Sequence, residues 1–184
     1  MIVADAAPVI AFARVGRLAL LRQIVEELVV PDAVYDDVVV KGRGKPGADE
    51  VARGTWIRRA VIRNRDAVAN FPPVLGAGER EAIVLAEEQN ATLLTDDQRA
   101  REAAEERGLE VVGVLWVLGE AKRRGCVTEV RPLIDELLAI RIDSTITRLA
   151  SPGHRLHETT PARASVLHTR RVSIRPWPPS TCPS

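Results

Sequence analysis

Short apolar runs alternate along this chain with longer stretches whose apolar positions recur every three or four residues. That is the pattern of buried strands between amphipathic helices. Residues 1–4 read as a strand ending at Asp5, and Val9, Ile10, Phe12, Leu18, Leu20 and Leu21 follow with helical spacing. A second unit repeats the scheme: a strand at 28–30, then a helix over 33–40 with Pro31 or Asp32 in its first turn. Residues 41–47 form a loop rich in Gly and basic residues, and 55–62 show the partial alternation of an edge strand. After a turn at 75–78, a helix over 79–88 places Ala82, Ile83 and Ala86 on one face, with Glu79 sharing the face of Ile83. A strand at 91–95, a charged helix at 98–107 ended by Gly108, a strand at 109–112, and helices at 115–124 and 128–140 separated by Gly125 complete the series. The alternation predicts an α/β fold with a mostly parallel central sheet and helices on both faces. The functional crevice of such a sheet lies at the carboxyl ends of its strands.

From about Ser151 the apolar period is lost among Pro, Arg, His, Ser and Thr. The expected organisation is one domain over 1–145 and a disordered or irregular tail over 146–184. The 184 residues and 46% hydrophobic content suffice for one core. Lys and Arg number 26 against 25 for Asp and Glu, so net charge draws the chain to neither nucleic acid nor membrane, and any such partner must be read from local charge. Cys126 and Cys182 lack CxxC spacing and suggest neither a disulfide framework nor structural zinc; the expected compartment is the cytoplasm. No uncharged stretch approaches the roughly 20 residues of a spanning helix. The three histidines, His154, His157 and His168, all follow residue 150, so the chemistry of the main domain must run on carboxylates.

Carboxylates are indeed where the pattern concentrates. Asp5 ends the first strand, Asp96 and Asp97 end a later one, and Asp36, Asp37 and Glu79 open helices that follow loops. Acids gathered at one sheet edge repel one another, a cost that a hard cation between them removes. Each also has a simpler role available: Asp5 and Asp97 as helix caps, Asp37 and Glu79 as first-turn acids favoured by the helix dipole.

Five segments in order, VADAAPVIA (3–11), VPDAVYDDV (30–38), GEREAIVLA (78–86), LTDD (94–97) with Arg99 and Arg101, and GVLWVLGEAK (113–122), resemble the PIN-domain nucleases. The likeness is to the DUF3368 type related to the VapC toxins of toxin–antitoxin pairs, and it covers about the first 140 residues. It implies a three-layer PIN-like fold and a metal-dependent nuclease. Asp5, Asp37, Glu79 and Asp96 would be its catalytic acids, and Asp5, Asp96, Asp97 and Glu79 would hold Mg²⁺ or Mn²⁺. It departs from the family at Ala6 and Ala7, where a Ser or Thr hydroxyl usually orients the first acid, and in Asp37, shorter than the usual Glu.

By the same likeness the substrate is single-stranded RNA and the activity a ribonuclease of toxin–antitoxin type, with an antitoxin as partner. A homodimer through 9–24 and 33–40 is also implied. Phosphate backbones need flanking cations, for which Arg14, Lys41, Arg43, Lys45, Arg99 and Arg101 are the candidates, although each also serves as an ordinary solvated charge. Two other readings stand beside the nuclease. One is a catalytically weak or inactive PIN-like module that binds RNA or a protein partner. The other is a phosphoacceptor receiver domain, which fits poorly because it needs a second acid beside Asp5 and a later strand-end Lys.

Overall fold

The computed structural model describes residues 1–149. Five parallel strands form one sheet in the order β3-β2-β1-β4-β5. They are β1 (Ile2–Ala4), β2 (Leu28–Pro31), β3 (Ile57–Ala60), β4 (Thr92–Leu94) and β5 (Val111–Val112). The central strand β1 pairs with β2 through Ile2↔Leu28 and with β4 through Ala4↔Leu94. Side chains alternate between two cores: Ile2, Ala4, Leu28, Val30 and Leu94 face one, and Val3, Val29 and Leu93 face the other. Burial on both faces explains why β1 and β2 are continuously apolar.

The first face is covered by α1 (Ala6–Arg14), α2 (Leu18–Val25), α8 (Val114–Arg123) and the start of α9 (Arg131–Leu149). Phe12, Leu21, Ile24, Val117 and Leu118 pack there. The second face is covered by α6 (Ala77–Gln89) and α7 (Gln98–Glu106), through Ile83, Leu85, Ala100 and Ala104. This is the expected α/β architecture, with the sheet wholly parallel. Neighbouring strands β1 and β4 send their following helices, α1 and α7, to opposite faces, which opens a crevice at their carboxyl ends.

Some elements differ from the sequence reading. The helix expected over 33–40 is α3 (Asp32–Tyr35) running into a π-helical turn over Asp36–Val40, closed by the Lys41 N–H on the Asp36 carbonyl at 2.8 Å. Short helices α4 (Ala48–Arg53) and α5 (Arg65–Ala69) were not expected, because six and five residues carry too little of a helical period to register. The edge strand β3 is four residues long, and both Arg58 and Arg59 are exposed, so its alternation is weak. Helix α9 continues to Leu149, and the tail beyond it lies outside the described residues. Val9 and Ile24, in the stretch expected to form a dimer face, are buried in the chain's own core, whereas Val40 is 61% exposed. No helix among the described residues is long and apolar enough to cross a membrane.

The π-turn depends on Gly42, where a Cβ would fall 2.0 Å from the Val38 carbonyl oxygen. Gly42→Ala should therefore lower stability by about 2–3 kcal/mol. Gly119→Ala, in α8 with nothing within 4 Å of the new Cβ, should raise it by about 0.5–1 kcal/mol. Urea denaturation of both variants checks the pair; equal stability in the two would refute the steric argument.

Candidate functional site

Asp5 sits where β1 must turn into α1, and the central position of β1 buries it: the residue is 5% exposed. Its N–H continues the sheet by donating to the Leu94 carbonyl at 3.0 Å. Its side chain caps α1, with Oδ1 accepting from the Ala6 N–H at 2.6 Å. Its other oxygen, Oδ2, accepts from the hydroxyl of Thr95, fully buried at the end of β4, at 3.4 Å. Sequence reading missed Thr95. The hydroxyl absent at Ala6 and Ala7 is supplied by the neighbouring strand, and the only signal for it was a Thr directly before the Asp96/Asp97 pair.

Asp37 comes to the same place from the opposite side, through the close approach of α3 to α6. Gly78 permits that approach. A Cβ built there would lie 3.2 Å from Val34 Cγ2, 3.5 Å from Asp37 Oδ2 and 3.7 Å from Asp5 Oδ1. The two carboxylates thus converge on one glycine, which reads from sequence only as part of a turn. The other oxygen of Asp37 accepts from Lys41 Nζ at 2.5 Å.

The remaining acids line the crevice but are engaged by backbone N–H groups. Glu79 folds back so that Oε2 accepts from the Gly76 N–H at 2.8 Å. Asp96 Oδ1 accepts from the Val114 N–H at 3.0 Å, a reach open only because residue 113 is Gly: a Cβ there would stand 2.6 Å from that oxygen. Asp97 caps α7, its Oδ1 accepting from the N–H groups of Arg99 and Ala100, both at 2.9 Å. The Asp97 N–H in turn donates to the Thr95 hydroxyl at 3.2 Å, so Thr95 links the ends of β1 and β4. Glu81 is engaged elsewhere, accepting from the Ala33 N–H at the start of α3. Among the described residues, no three His, Cys, Asp or Glu side chains form a ready cage for a metal ion.

Of the basic candidates, Arg14, Lys41, Arg43, Lys45 and Arg99 are exposed. Arg101 is used differently. Its guanidinium donates to the Val111 and Thr95 carbonyls at 3.1 and 3.3 Å, tying the ends of β5 and β4 together.

Burial, and after it the negative charge of Glu79, raises the Asp5 pKa from 3.8 to about 6, against the opposing pull of the Ala6 N–H and the Thr95 hydroxyl. The folded state therefore retains a proton that the unfolded chain has released, and Asp5 costs stability as pH rises from about 4 through about 6. In EDTA, Asp5→Asn, which keeps the cap and removes the charge, should be more stable than wild type near pH 8 by up to about 3 kcal/mol. The gap should close toward pH 4. Thermal melts across that range check the sign, and a gap independent of pH would overturn it.

No curated protein matches the chain. Among solved structures, the fold is similar to that of a PilT N-terminus domain protein, SSO1118, from the hyperthermophilic archaeon Sulfolobus solfataricus P2. The TM-score is 0.51, over 66% of this chain and 93% of that one, and at 18% identity the likeness is one of fold. The family described as DUF3368: PIN domain matches residues 1–150. With a parallel five-stranded sheet and acids along its carboxyl edge, the chain belongs to the DUF3368 family of PIN domains, a nuclease-type family.

Proposed function

We propose that the protein is a Mg²⁺- or Mn²⁺-dependent ribonuclease acting on single-stranded RNA. The observation that carries this reading is the convergence of Asp5 Oδ1 and Asp37 Oδ2 on Gly78, with Asp5 buried and reluctant to ionise. Two carboxylates facing one point repel, and a divalent cation between them relieves both the repulsion and the desolvation of the buried Asp5. The donor chemistry fits: every side chain is a carboxylate or hydroxyl, the hard oxygen set that Mg²⁺ and Mn²⁺ prefer.

Asp5 and Asp37 would hold the ion directly. Glu79, Asp96 and Asp97 each commit one oxygen to a backbone N–H, so they complete the centre with the other oxygen or through water. Thr95 orients Asp5. A bound cation lowers the pKa of an attacking water and offsets the charge that builds on phosphorus. Lys41, Arg43 and Lys45, on the loop directly after Asp37, and Arg14 and Arg99 contact the phosphate backbone. With three Trp, one Tyr and two Phe in the whole chain, base stacking contributes little to selectivity.

A ribonuclease of toxin–antitoxin type follows from the family likeness, with an antitoxin whose Arg or Lys reaches the acids, a homodimeric state and a cytoplasmic location. A second reading, a weak or inactive module that binds RNA or a protein partner, draws on the capping roles of Glu79, Asp96 and Asp97, which leave fewer oxygens for catalysis.

Cleavage of single-stranded RNA and DNA oligonucleotides in Mn²⁺, Mg²⁺ or EDTA decides between them. Wild type should cut RNA only with metal. Asp5→Asn and Asp37→Asn should lose at least about 100-fold in rate, and Thr95→Val about 10- to 100-fold. Gly78→Ala should lose metal affinity, because the new methyl group occupies the point both carboxylates face, and should change the melting temperature by only a few degrees as Val34 Cγ2, 3.2 Å from that methyl, gives way. Cleavage that survives EDTA, or is equal in wild type and Asp5→Asn, refutes the metal-dependent mechanism; metal-dependent RNA binding without cleavage supports the second reading.

A further inference from the structure

Lys41 occupies an unusual place: it is the residue that closes the π-turn and the cation that sits on Asp37. Its N–H donates to the Asp36 carbonyl at 2.8 Å, and its Nζ donates to Asp37 Oδ1 at 2.5 Å, while Asp37 Oδ2 faces Gly78 and Asp5. The lysine side chain is 74% exposed and the Asp37 side chain 37%. An ion pair so open to solvent is weak and easily exchanged.

The backbone beneath it is closely packed. Gly42 lets the chain pass against the Val38 carbonyl, where a Cβ would stand 2.0 Å away. Gly44 and Gly47 take the left-handed backbone at φ of 77° and 93°, and a Cβ at Gly47 would overlap Ala13 Cβ at 2.3 Å. The loop is thus seated on α1, and Lys45 N–H donates to the Gly42 carbonyl at 2.8 Å. Three basic side chains, Lys41, Arg43 and Lys45, are presented from a held backbone, and Lys41 alone of the three contacts an acid of the site.

We propose that Lys41 serves the centre twice: it neutralises Asp37 until a divalent cation takes that carboxylate, and its ammonium then turns to the substrate phosphate beside the same centre. This rests on the metal-dependent reading above. An ammonium suits the role because it is a compact point charge with three donors on a flexible stem, able to leave one oxygen ligand for another. A divalent ion held by several oxygens outcompetes it for Asp37, and the displaced positive charge is then available within reach of an incoming phosphodiester.

The test measures binding, apart from turnover. Mn²⁺ affinity is titrated by electron paramagnetic resonance in wild type, Lys41→Met, Lys41→Arg, Asp5→Asn and the charge control Arg53→Met, an exposed arginine whose ion pair is with Asp49 outside the site. Binding of a non-cleavable 2′-O-methyl RNA oligonucleotide is followed by anisotropy at several salt concentrations with Mn²⁺ present. Lys41→Met should bind Mn²⁺ about two- to fivefold more tightly than wild type, since one competing ion pair is gone. It should bind the oligonucleotide more weakly, with the slope of log affinity against log salt reduced by about 0.7, one phosphate contact on a single strand. Lys41→Arg should restore the slope, and Arg53→Met should leave Mn²⁺ affinity unchanged. Mn²⁺ affinity in Lys41→Met equal to or below that of wild type, an unchanged salt slope, or an equal gain in Arg53→Met would each overturn the role of Lys41 while leaving the metal centre standing. A wild type that binds no Mn²⁺, or binds it as well after Asp5→Asn, overturns the metal centre and this inference together.

Discussion

A carboxylate buried at the tip of the central strand sets the terms for everything around it. Asp5 stands inside because β1 is flanked by β2 and β4 and covered on both faces, so the chain leaving it has no route through solvent. Taking a carboxylate out of water is expensive, and the fold answers with the Ala6 N–H on one oxygen and the Thr95 hydroxyl on the other. The answer is partial, since the pKa still stands at about 6. What remains uncompensated is a demand for positive charge at that point.

The surrounding architecture concentrates that demand. At the switch point between β1 and β4 the following helices depart to opposite faces, and α3 closes on α6 at a glycine. Asp37 is thereby brought to a residue remote from it in sequence and adjacent to Asp5 in space. Each carboxylate in the crevice has found some N–H or ammonium partner: Asp96 on Val114, Asp97 on Arg99 and Ala100, Glu79 on Gly76, Asp37 on Lys41. The same groups that cap helices are those that suit a cation, because both tasks ask for an oxygen with excess negative charge at a helix start. At Glu79 and Asp97 the capping oxygen leaves the second one open, whereas at Asp5 the same Oδ1 caps α1 and faces Gly78.

Much of the fold was legible in the chain, and for definite reasons. Runs such as residues 2–4 and 28–30 are apolar throughout, the mark of strands buried on both faces, and in α8 the buried Val114, Val117, Leu118 and Ala121 recur every three or four residues over about two turns. Short α4 and α5 escaped notice because a single turn and a half has no measurable period, and the π-turn did because it differs from an α-helix by one hydrogen-bond step that no side-chain pattern encodes.

The site divides in the same way. Sequence by itself determined which acids stand at strand ends and helix starts, and so that Asp5, Asp37, Glu79, Asp96 and Asp97 would gather on one edge, because in a parallel sheet every carboxyl end points the same way. It also determined that no His before residue 151 could share the work. Only the tertiary structure decided which of those acids face a common point and which turn aside. That choice rests on contacts between residues far apart in the chain: Thr95 on Asp5 across two strands, Gly78 admitting Asp37 between two helices, Gly113 letting Asp96 reach Val114. A carboxylate's position in sequence sets its height along the sheet, but its orientation follows from whichever N–H, hydroxyl or vacant Cβ the packing brings beside it.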